Sequence, residues 1–449
     1  MDLDRPRRIH LVGVGGAGMS ALAKVLAGMG HRISGSDLRH SEALARLLDA
    51  GLEVWAGHQP ESITGVDLVV ASSAVPDSDP EVVAARTAGV EVWRRPRLLG
   101  EITSRIPTVG PTGTHGKTSS AAMTVAALRA AGVDPWFVIG GEAVDLGTNG
   151  AVGSDRLMVL EVDEAFRTFE AVSLRGLQVT NVDQDHLEHF DSPEDLREAF
   201  VRVASAVRGP VVACIDDPGA AELARRVGAI TYGTEPADWR IVEPGPDHFG
   251  LVGRGRRWEV RLGRPGIHMA RNAAGVVALL TELGYDPDAL VAGLEGFRGV
   301  RRRFELRGTV GGVRIYDDYA HHPAEVEATI GAARSVEGGR LWAVFQPHLF
   351  SRTARFAGEL GRALAAADVV VVTDVYGARE DPIPGVTGRL VVEAAKRAGA
   401  RDVRYVPHRG EVARSMVDDL RPGDVVLTMG AGDITVVPTE LARLLEDRG

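Results

Sequence analysis

A chain of 449 residues is longer than one hydrophobic core usually serves and has room for two or three domains. Its 45% hydrophobic and 25% charged residues are those of an ordinary globular protein, and a net charge of −10 argues against a general nucleic-acid binder, which needs a broad basic surface. No apolar run approaches the roughly 18 residues of a membrane span, the opening segment lacks a signal-peptide core, and the single cysteine, Cys214, cannot form an internal disulfide, so a cytoplasmic protein with no membrane or nucleic-acid partner is expected.

The first elements are an apolar strand over residues 9–12, a glycine turn, a helical run from Met19 to about Met29, and a second strand over residues 32–37. The turn reads Gly13-x-Gly15-x-x-Gly18, and Asp37 closes the second strand. Glycines there admit a close-lying diphosphate at a helix N-terminus, which is the pattern of a dinucleotide site. Taken alone it suggests NAD and a dehydrogenase. A further strand over residues 67–71 precedes Ser72 and Ser73. Strands alternating with helices predict a parallel, doubly wound sheet.

Around residues 100–107 the pattern restarts. Thr108-Val109-Gly110 leads into Thr112-Gly113-Thr114-His115-Gly116-Lys117-Thr118 and a helical run over residues 119–131. Gly113 and Gly116 let backbone amides converge on an anion. Lys117 is placed to reach β and γ phosphates, and the Thr118 hydroxyl to ligate Mg²⁺. Strict Walker spacing would put Gly where this chain has Pro111, so the loop is a variant. Only Lys24, Lys117 and Lys396 are lysines among 51 basic residues. A lysine kept at a phosphate loop in so arginine-rich a chain points to a need for its compact ammonium head.

Residues 157–160 are apolar and run into Glu161-Val162-Asp163-Glu164. Carboxylates at the C-terminal end of a strand face the ligand crevice of a doubly wound sheet, and Mg²⁺ prefers such oxygen donors. After Arg301-Arg302-Arg303 a third βα series begins at residue 313, with strands near residues 341–345, 369–373 and 425–429. His321, His322, His348 and Arg352 fall in loops after its strands, suited to holding a carboxylate. The expected fold is α/β in three domains: a Rossmann-like domain over 1–104, a P-loop ATPase-like domain over 105–306 and a second Rossmann-like domain over 307–449.

Taken in order, these segments resemble the Mur ligases, and most of all the members that add L-alanine. The resemblance rests on Thr112 to Thr118, Gly13-Val14-Gly15-Gly16-Ala17-Gly18-Met19-Ser20 and Thr180-Asn181-Val182-Asp183-Gln184-Asp185-His186. It continues through Gly299-Val300-Arg301-Arg302-Arg303-Phe304-Glu305, Tyr316-Asp317-Asp318-Tyr319-Ala320-His321-His322-Pro323, Phe345-Gln346-Pro347-His348 and Met429-Gly430-Ala431-Gly432-Asp433-Ile434. It implies an ATP-dependent ligase that joins the carboxylate of UDP-N-acetylmuramate to L-alanine through an acyl phosphate, acting as a monomer or weak dimer.

The same resemblance implies the site residues. The UDP-sugar would lie on Gly15, Gly16, Ala17, Gly18, Met19, Asp37 and Ser72. ATP would lie on Gly113, Thr114, His115, Gly116, Lys117, Thr118, Ser119, Asn272 and Arg303. Lys117, Glu161 and His186 would be catalytic, with Thr118, Glu161 and His186 holding Mg²⁺. Arg352 and one of His321 or His322 would hold the acceptor carboxylate, with His348 nearby. The chain departs from the family pattern where Met269 replaces Asn, Leu349 replaces Arg and Ala165 replaces Ser, and the following Phe166-Arg167-Thr168-Phe169 is also atypical. The chain has no lysine between Lys117 and Lys396, which excludes the carbamylated lysine that other Mur ligases use in the middle domain. Two other readings fit parts of the pattern: a related ligase that attaches a peptide or another amino acid to the UDP-sugar, and a non-catalytic UDP-sugar-binding paralogue.

Overall fold

Three sheets organise the chain in a computed structural model that describes residues 3–184, 189–336, 338–378 and 380–448. The first sheet contains β1 (Arg8–Val12), β2 (Arg32–Asp37), β3 (Glu53–Ala56), β4 (Leu68–Ala71) and β5 (Glu91–Arg94), in the order β3-β2-β1-β4-β5. Every pairing in it is parallel. The central strands β1 and β4 are apolar and buried because helices cover both faces. Around them lie α1 (Ala17–Gly28), α2 (Glu42–Asp49), α3 (Pro80–Thr87) and α4 (Arg95–Arg105). Ser41 caps α2 and Asp79 caps α3, whereas α1 begins at Gly16 with no side-chain cap. Its first amides are therefore left for an outside acceptor.

The second sheet has ten strands in the order β15-β14-β13-β12-β11-β10-β6-β9-β7-β8. They are β6 (Thr108–Thr112), β7 (Trp136–Ala143), β8 (Thr148–Ala151), β9 (Met158–Leu160), β10 (Gly176–Val179), β11 (Val211–Cys214), β12 (Ile230–Gly233), β13 (Trp239–Val242), β14 (His248–Gly253) and β15 (Arg256–Arg261). Its middle is parallel, as βα alternation predicts. Its two ends are not: β7 and β8 form an antiparallel hairpin, and β13, β14 and β15 form an antiparallel meander. The β14–β15 turn is Arg254-Gly255, with φ of 49° and 73°, the two left-handed residues that match a hairpin's twist. Helix α5 (Lys117–Ala130) follows β6 directly. The carboxylate strand is shorter than its apolar run suggests. It begins at Met158 and ends at Leu160, so Glu161 is the first residue beyond it.

The third sheet holds β16 (Glu305–Val310), β17 (Val313–Asp318), β18 (Leu341–Phe345), β19 (Val369–Val372), β20 (Asp402–Tyr405) and β21 (Val425–Met429). Its order is β16-β17-β21-β18-β19-β20, parallel except for β16, which runs antiparallel along β17. The series therefore starts one strand earlier than Val313. Helices cover it on both faces, with Phe345 and Leu427 buried on one side and Trp342 and Val426 on the other.

The chain forms two compact units. One takes in everything up to Arg298 except Gly245–Asp247 and Arg264–His268; the second takes in those two stretches and the rest from Gly299. In the first unit a single buried cluster runs from Ile9, Leu11 and Leu22 through Leu98 and Ile102 to Met158, Leu177 and Phe200, spanning the first two sheets. Among the described residues no helix is long and apolar enough to cross a membrane.

Candidate active site

The loop between β6 and α5 has a backbone that only glycine accommodates at two points. Gly113 has φ of 133° and Gly116 of 84°. A Cβ on Gly113 would lie 2.2 Å from Thr180 Oγ1, and one on Gly116 would lie 2.7 Å from Asn272 Oδ1. The second approach brings Asn272, buried in the helix Ile267–Glu282, against the loop. The segment after β10 holds the loop's shape. His115 N donates to Asn181 Oδ1 at 2.8 Å, and the His115 carbonyl accepts from Thr180 Oγ1 at 2.6 Å and Asn181 Nδ2 at 3.0 Å. Thr114 Oγ1 accepts from Asp183 N at 2.9 Å. Helix α5 starts at Gly116 with no side-chain cap, and Thr118 and Ser119 lie buried in its first turn. An uncapped helix start beneath a glycine loop is a nest of N–H donors suited to a phosphate chain.

Beside the nest lie the carboxylates that follow β9. Glu161 Oε1 accepts from Thr118 Oγ1 at 2.9 Å and Oε2 from Gly140 N at 2.5 Å. A Cβ on Gly140 would sit 2.7 Å from both oxygens, so β7 needs glycine where Glu161 packs. Burial pushes the Glu161 carboxyl above its ordinary pKa, against the pull of Lys117 and the Gly140 amide. Lys117 Nζ donates to Glu164 at 2.7 and 2.9 Å and to the carbonyls of Gly113 at 2.6 Å and Thr114 at 3.1 Å. Burial alone would lower the Lys117 pKa, but Glu164, Asp163 and Glu161 more than offset it and raise it to about 12. The ammonium is thus fixed in its charged form. A hydroxyl and a carboxylate converging at 2.9 Å, oxygen donors only, fit a hard cation such as Mg²⁺. His186, the third expected metal residue, lies outside the described residues.

The first glycine loop is ordered by the residues expected around it. Gly15 N donates to Asp37 Oδ2 at 2.9 Å, and a Cβ on Gly15 would lie 2.9 Å from that oxygen. Asp37 therefore shapes the loop's backbone as well as ending β2. Gly13, with φ of 80°, lies against Ser72, whose Cβ would be 3.0 Å from an added methyl. Gly16 starts α1, and Ala17 and Gly18 form its first turn, followed by buried Met19. Asn149 Nδ2 in β8 donates to the Ala17 carbonyl at 2.9 Å, and Lys24 Nζ donates to Asn149 Oδ1 at 2.9 Å and Thr148 Oγ1 at 3.0 Å. The β7–β8 hairpin thereby touches both centres: Gly140 cradles Glu161, and Asn149 holds the start of α1.

The second unit groups three of the four acceptor residues. Arg352 is buried in the first turn of the helix Phe350–Leu364, with Nη1 3.3 Å from His348 Nδ1. The His348 ring stacks on Tyr376 at 6.0 Å and meets His321 edge-on at 5.7 Å. His322 is instead buried edge-on to Phe356, one helical turn beyond Arg352. Leu349, where the family pattern has Arg, holds φ of 68°, a strained conformation for a branched side chain at the start of that helix. Arg303 lies over the Tyr319 ring at 5.2 Å and 3.5 Å from Glu325.

Sequence reasoning did not assign Glu164, Gly140, Asn181 or Arg95. Glu164 stood in the carboxylate run, and its tie to Lys117 joins residues 47 apart in the chain. Nothing in the sequence sets Gly140 or Arg95 apart from neighbouring glycines and arginines.

Family models match in chain order along the molecule: "Mur ligase family, catalytic domain" over residues 8–106, "Mur ligase middle domain" over 112–280 and "Mur ligase, glutamate ligase domain" over 302–432. Similar curated proteins include the UDP-N-acetylmuramate–L-alanine ligases of Clavibacter michiganensis subsp. michiganensis, 44% identical over 98% of this chain and 94% of that protein, and of Kineococcus radiotolerans, 45% identical over 98% and 97%. A solved UDP-N-acetylmuramate–alanine ligase from Thermotoga maritima superposes with a TM-score of 0.85 at 29% identity, covering 99% of this chain and 100% of that one. A murein peptide ligase from Psychrobacter arcticus shares the fold with a TM-score of 0.73 at 21% identity over 98% of each chain. With three α/β domains in the same order and this identity over nearly its whole length, the chain belongs to the Mur ligase family of ATP-dependent, amide-forming ligases.

Proposed function

We propose that this chain joins the carboxylate of UDP-N-acetylmuramate to the amine of L-alanine at the expense of ATP, in peptidoglycan precursor synthesis, as a monomer or weak dimer. The observation that carries the reading is the assembly of Lys117, Thr118 and Glu161 around one uncapped helix start, a site built for a triphosphate and a hard cation. The acceptor's identity draws its support from the curated relatives at 44–45% identity, whose printed names specify L-alanine.

A carboxylate does not acylate an amine in neutral water until one of its oxygens becomes a leaving group. In the proposed sequence a carboxylate oxygen attacks the γ-phosphorus of ATP and ADP departs, leaving an acyl phosphate. The alanine nitrogen then attacks the carbonyl carbon, the C–O bond to phosphate breaks, and the amine proton passes to solvent or a nearby base. The amide and inorganic phosphate result. The amides of Gly113, Thr114 and Gly116 and the first turn at Ser119 are assigned to the phosphates, with Asn272 beside the loop and His115, its amide held by Asn181, keeping the loop's shape. Lys117 exchanges Glu164 for a phosphate oxygen. Arg303 is assigned to the phosphates on the resemblance alone. Thr118, Glu161 and His186 are assigned to Mg²⁺, which when bound neutralises charge on the transferring phosphoryl group. Gly15, Gly16, Ala17, Gly18, Met19, Asp37 and Ser72 form the nucleotide-sugar side, and Arg352 with His321, His322 and His348 the acceptor side. The three domains are taken as residues 1–104, 105–306 and 307–449.

The test is phosphate release from MgATP and UDP-N-acetylmuramate with each amino acid in turn and with a short peptide acceptor. Release dependent on L-alanine, with UDP-N-acetylmuramoyl-L-alanine found by mass spectrometry, is expected. Release that depends only on a peptide or a different amino acid would overturn the acceptor assignment.

A further inference from the structure

Arg94 and Arg95 stand side by side between β5 and α4, and their surroundings differ. Arg94 is committed: it donates to the carbonyls of Ser72 at 3.2 Å and Val75 at 2.6 Å and pairs with Asp77. Among the described residues Arg95 bonds through one nitrogen only. Its Nη2 donates to Thr168 Oγ1 at 3.1 Å and lies 3.3 Å from Asp163 Oδ2. Its Nε is buried with no partner among the described residues, although a guanidinium has five N–H donors to satisfy. Burial with an empty donor shows that the guanidinium is held at this place by more than its own hydrogen bonds.

The Nη1 end of the guanidinium faces the first glycine loop. A Cβ on Gly18 would lie 2.8 Å from Arg95 Nη1, so that glycine is what lets the cation reach the uncapped start of α1. The other side is clamped from the second sheet. Asp163 belongs to the carboxylate run that sets the charge of Lys117 and Glu161. Gly100, further along α4, lets the helix press against the turn at Ala171, whose carbonyl would be 2.7 Å from a Cβ there. Arg95 is thereby held between the two glycine-loop centres of the first unit by elements of both.

We infer that Arg95 binds a diphosphate oxygen of the nucleotide sugar through Nη1 while Asp163 and Thr168 hold it from behind. The inference rests on the nucleotide-sugar reading above. It gives the diphosphate a cation in addition to the α1 amides, and it fixes the distance between the sugar's anchor and the centre where its carboxylate reacts. Guanidinium matches phosphate oxygens with a planar fork that an ammonium lacks.

The test measures binding of UDP, UDP-N-acetylmuramate and MgATP by calorimetry to the native protein, Arg95→Met and Arg95→Lys, with thermal unfolding of each. Arg95→Met is expected to weaken UDP and UDP-N-acetylmuramate alike by about 10- to 100-fold and to leave MgATP within about twofold. Arg95→Lys, which keeps the charge, is expected to recover part of the loss and to keep the fold if the methionine variant does not. Unchanged UDP affinity in a folded variant, or an equal loss for MgATP, would overturn the inference, because a merely structural role would not single out the diphosphate ligands. A native protein that binds MgATP but neither UDP nor UDP-N-acetylmuramate would instead defeat the nucleotide-sugar reading on which it rests.

Discussion

Lys117 Nζ sits 2.7 Å from Glu164 Oε2, with side chains only 11% and 1% exposed. The loop's cation is thus held on a buried carboxylate. Lys117→Met should leave Glu164 as a buried, uncompensated charge and destabilise the protein by about 3–5 kcal/mol. The double variant Lys117→Met with Glu164→Gln should regain most of that stability and still bind no MgATP. Urea unfolding and nucleotide titration together check this. A single variant as stable as the native protein would mean that the pair does not have this energetic role.

Gly140 leaves room for the Glu161 carboxylate, and a methyl there would sit 2.7 Å from both oxygens. Gly140→Ala should therefore displace Glu161 from Thr118 and raise the magnesium concentration needed for half-maximal rate by about tenfold or more, in keeping with the loss of an orienting neighbour. The KM for L-alanine should hardly move. A magnesium dependence identical to the native protein's would count against Glu161 as the metal carboxylate.

Leu349 holds φ of 68° three residues before Arg352. Leu349→Arg adds a guanidinium beside the proposed carboxylate pocket and should lower the KM for L-alanine by about tenfold or more, the range of one charge-assisted hydrogen bond. Steady-state kinetics at saturating ATP and UDP-sugar measure it. An unchanged or raised KM would contradict this placement of the acceptor.

Asp318 is fully buried and accepts from Phe304 N at 2.6 Å and Ala320 N at 2.7 Å. Burial raises its carboxyl to about 6, with Arg303 pulling the other way. An acid raised on folding makes the native state bind more protons than the unfolded chain. Its contribution to stability is complete below about pH 4 and is lost as pH climbs through 6, amounting to roughly 3 kcal/mol at most. Unfolding midpoints between pH 4 and 7.5 should fall with this slope in the native protein and lack it in Asp318→Asn. Parallel pH profiles would refute the assignment.

The parts of the fold legible in the sequence are those fixed by local pattern. Apolar runs locate β1, β4, β18 and β21 to within a residue, because buried parallel strands need apolar side chains on both faces. The glycine loops are legible because Gly13, Gly113 and Gly116 take left-handed φ and Gly15 and Gly18 meet close side chains, so glycine recurs at fixed spacing. What stayed hidden depends on distant partners. The β7–β8 hairpin and the β13–β15 meander carry too little periodicity to separate from βα units. The clasp of Asn181 on His115, the Lys117–Glu164 pair and the bridging place of Arg95 join residues far apart in sequence, and only tertiary folding brings them together. Asp37 was read as a nucleotide contact, and its carboxylate is seen ordering Gly15, a local role that the fingerprint alone does not reveal.

The measurement closest to the central claim follows oxygen. UDP-N-acetylmuramate labelled with ¹⁸O in its carboxylate is incubated with the protein, MgATP and L-alanine, and the released phosphate is analysed by mass spectrometry. Activation through an acyl phosphate predicts one labelled oxygen in each phosphate released. Amide formation with unlabelled phosphate, or phosphate released without any amide, would contradict it.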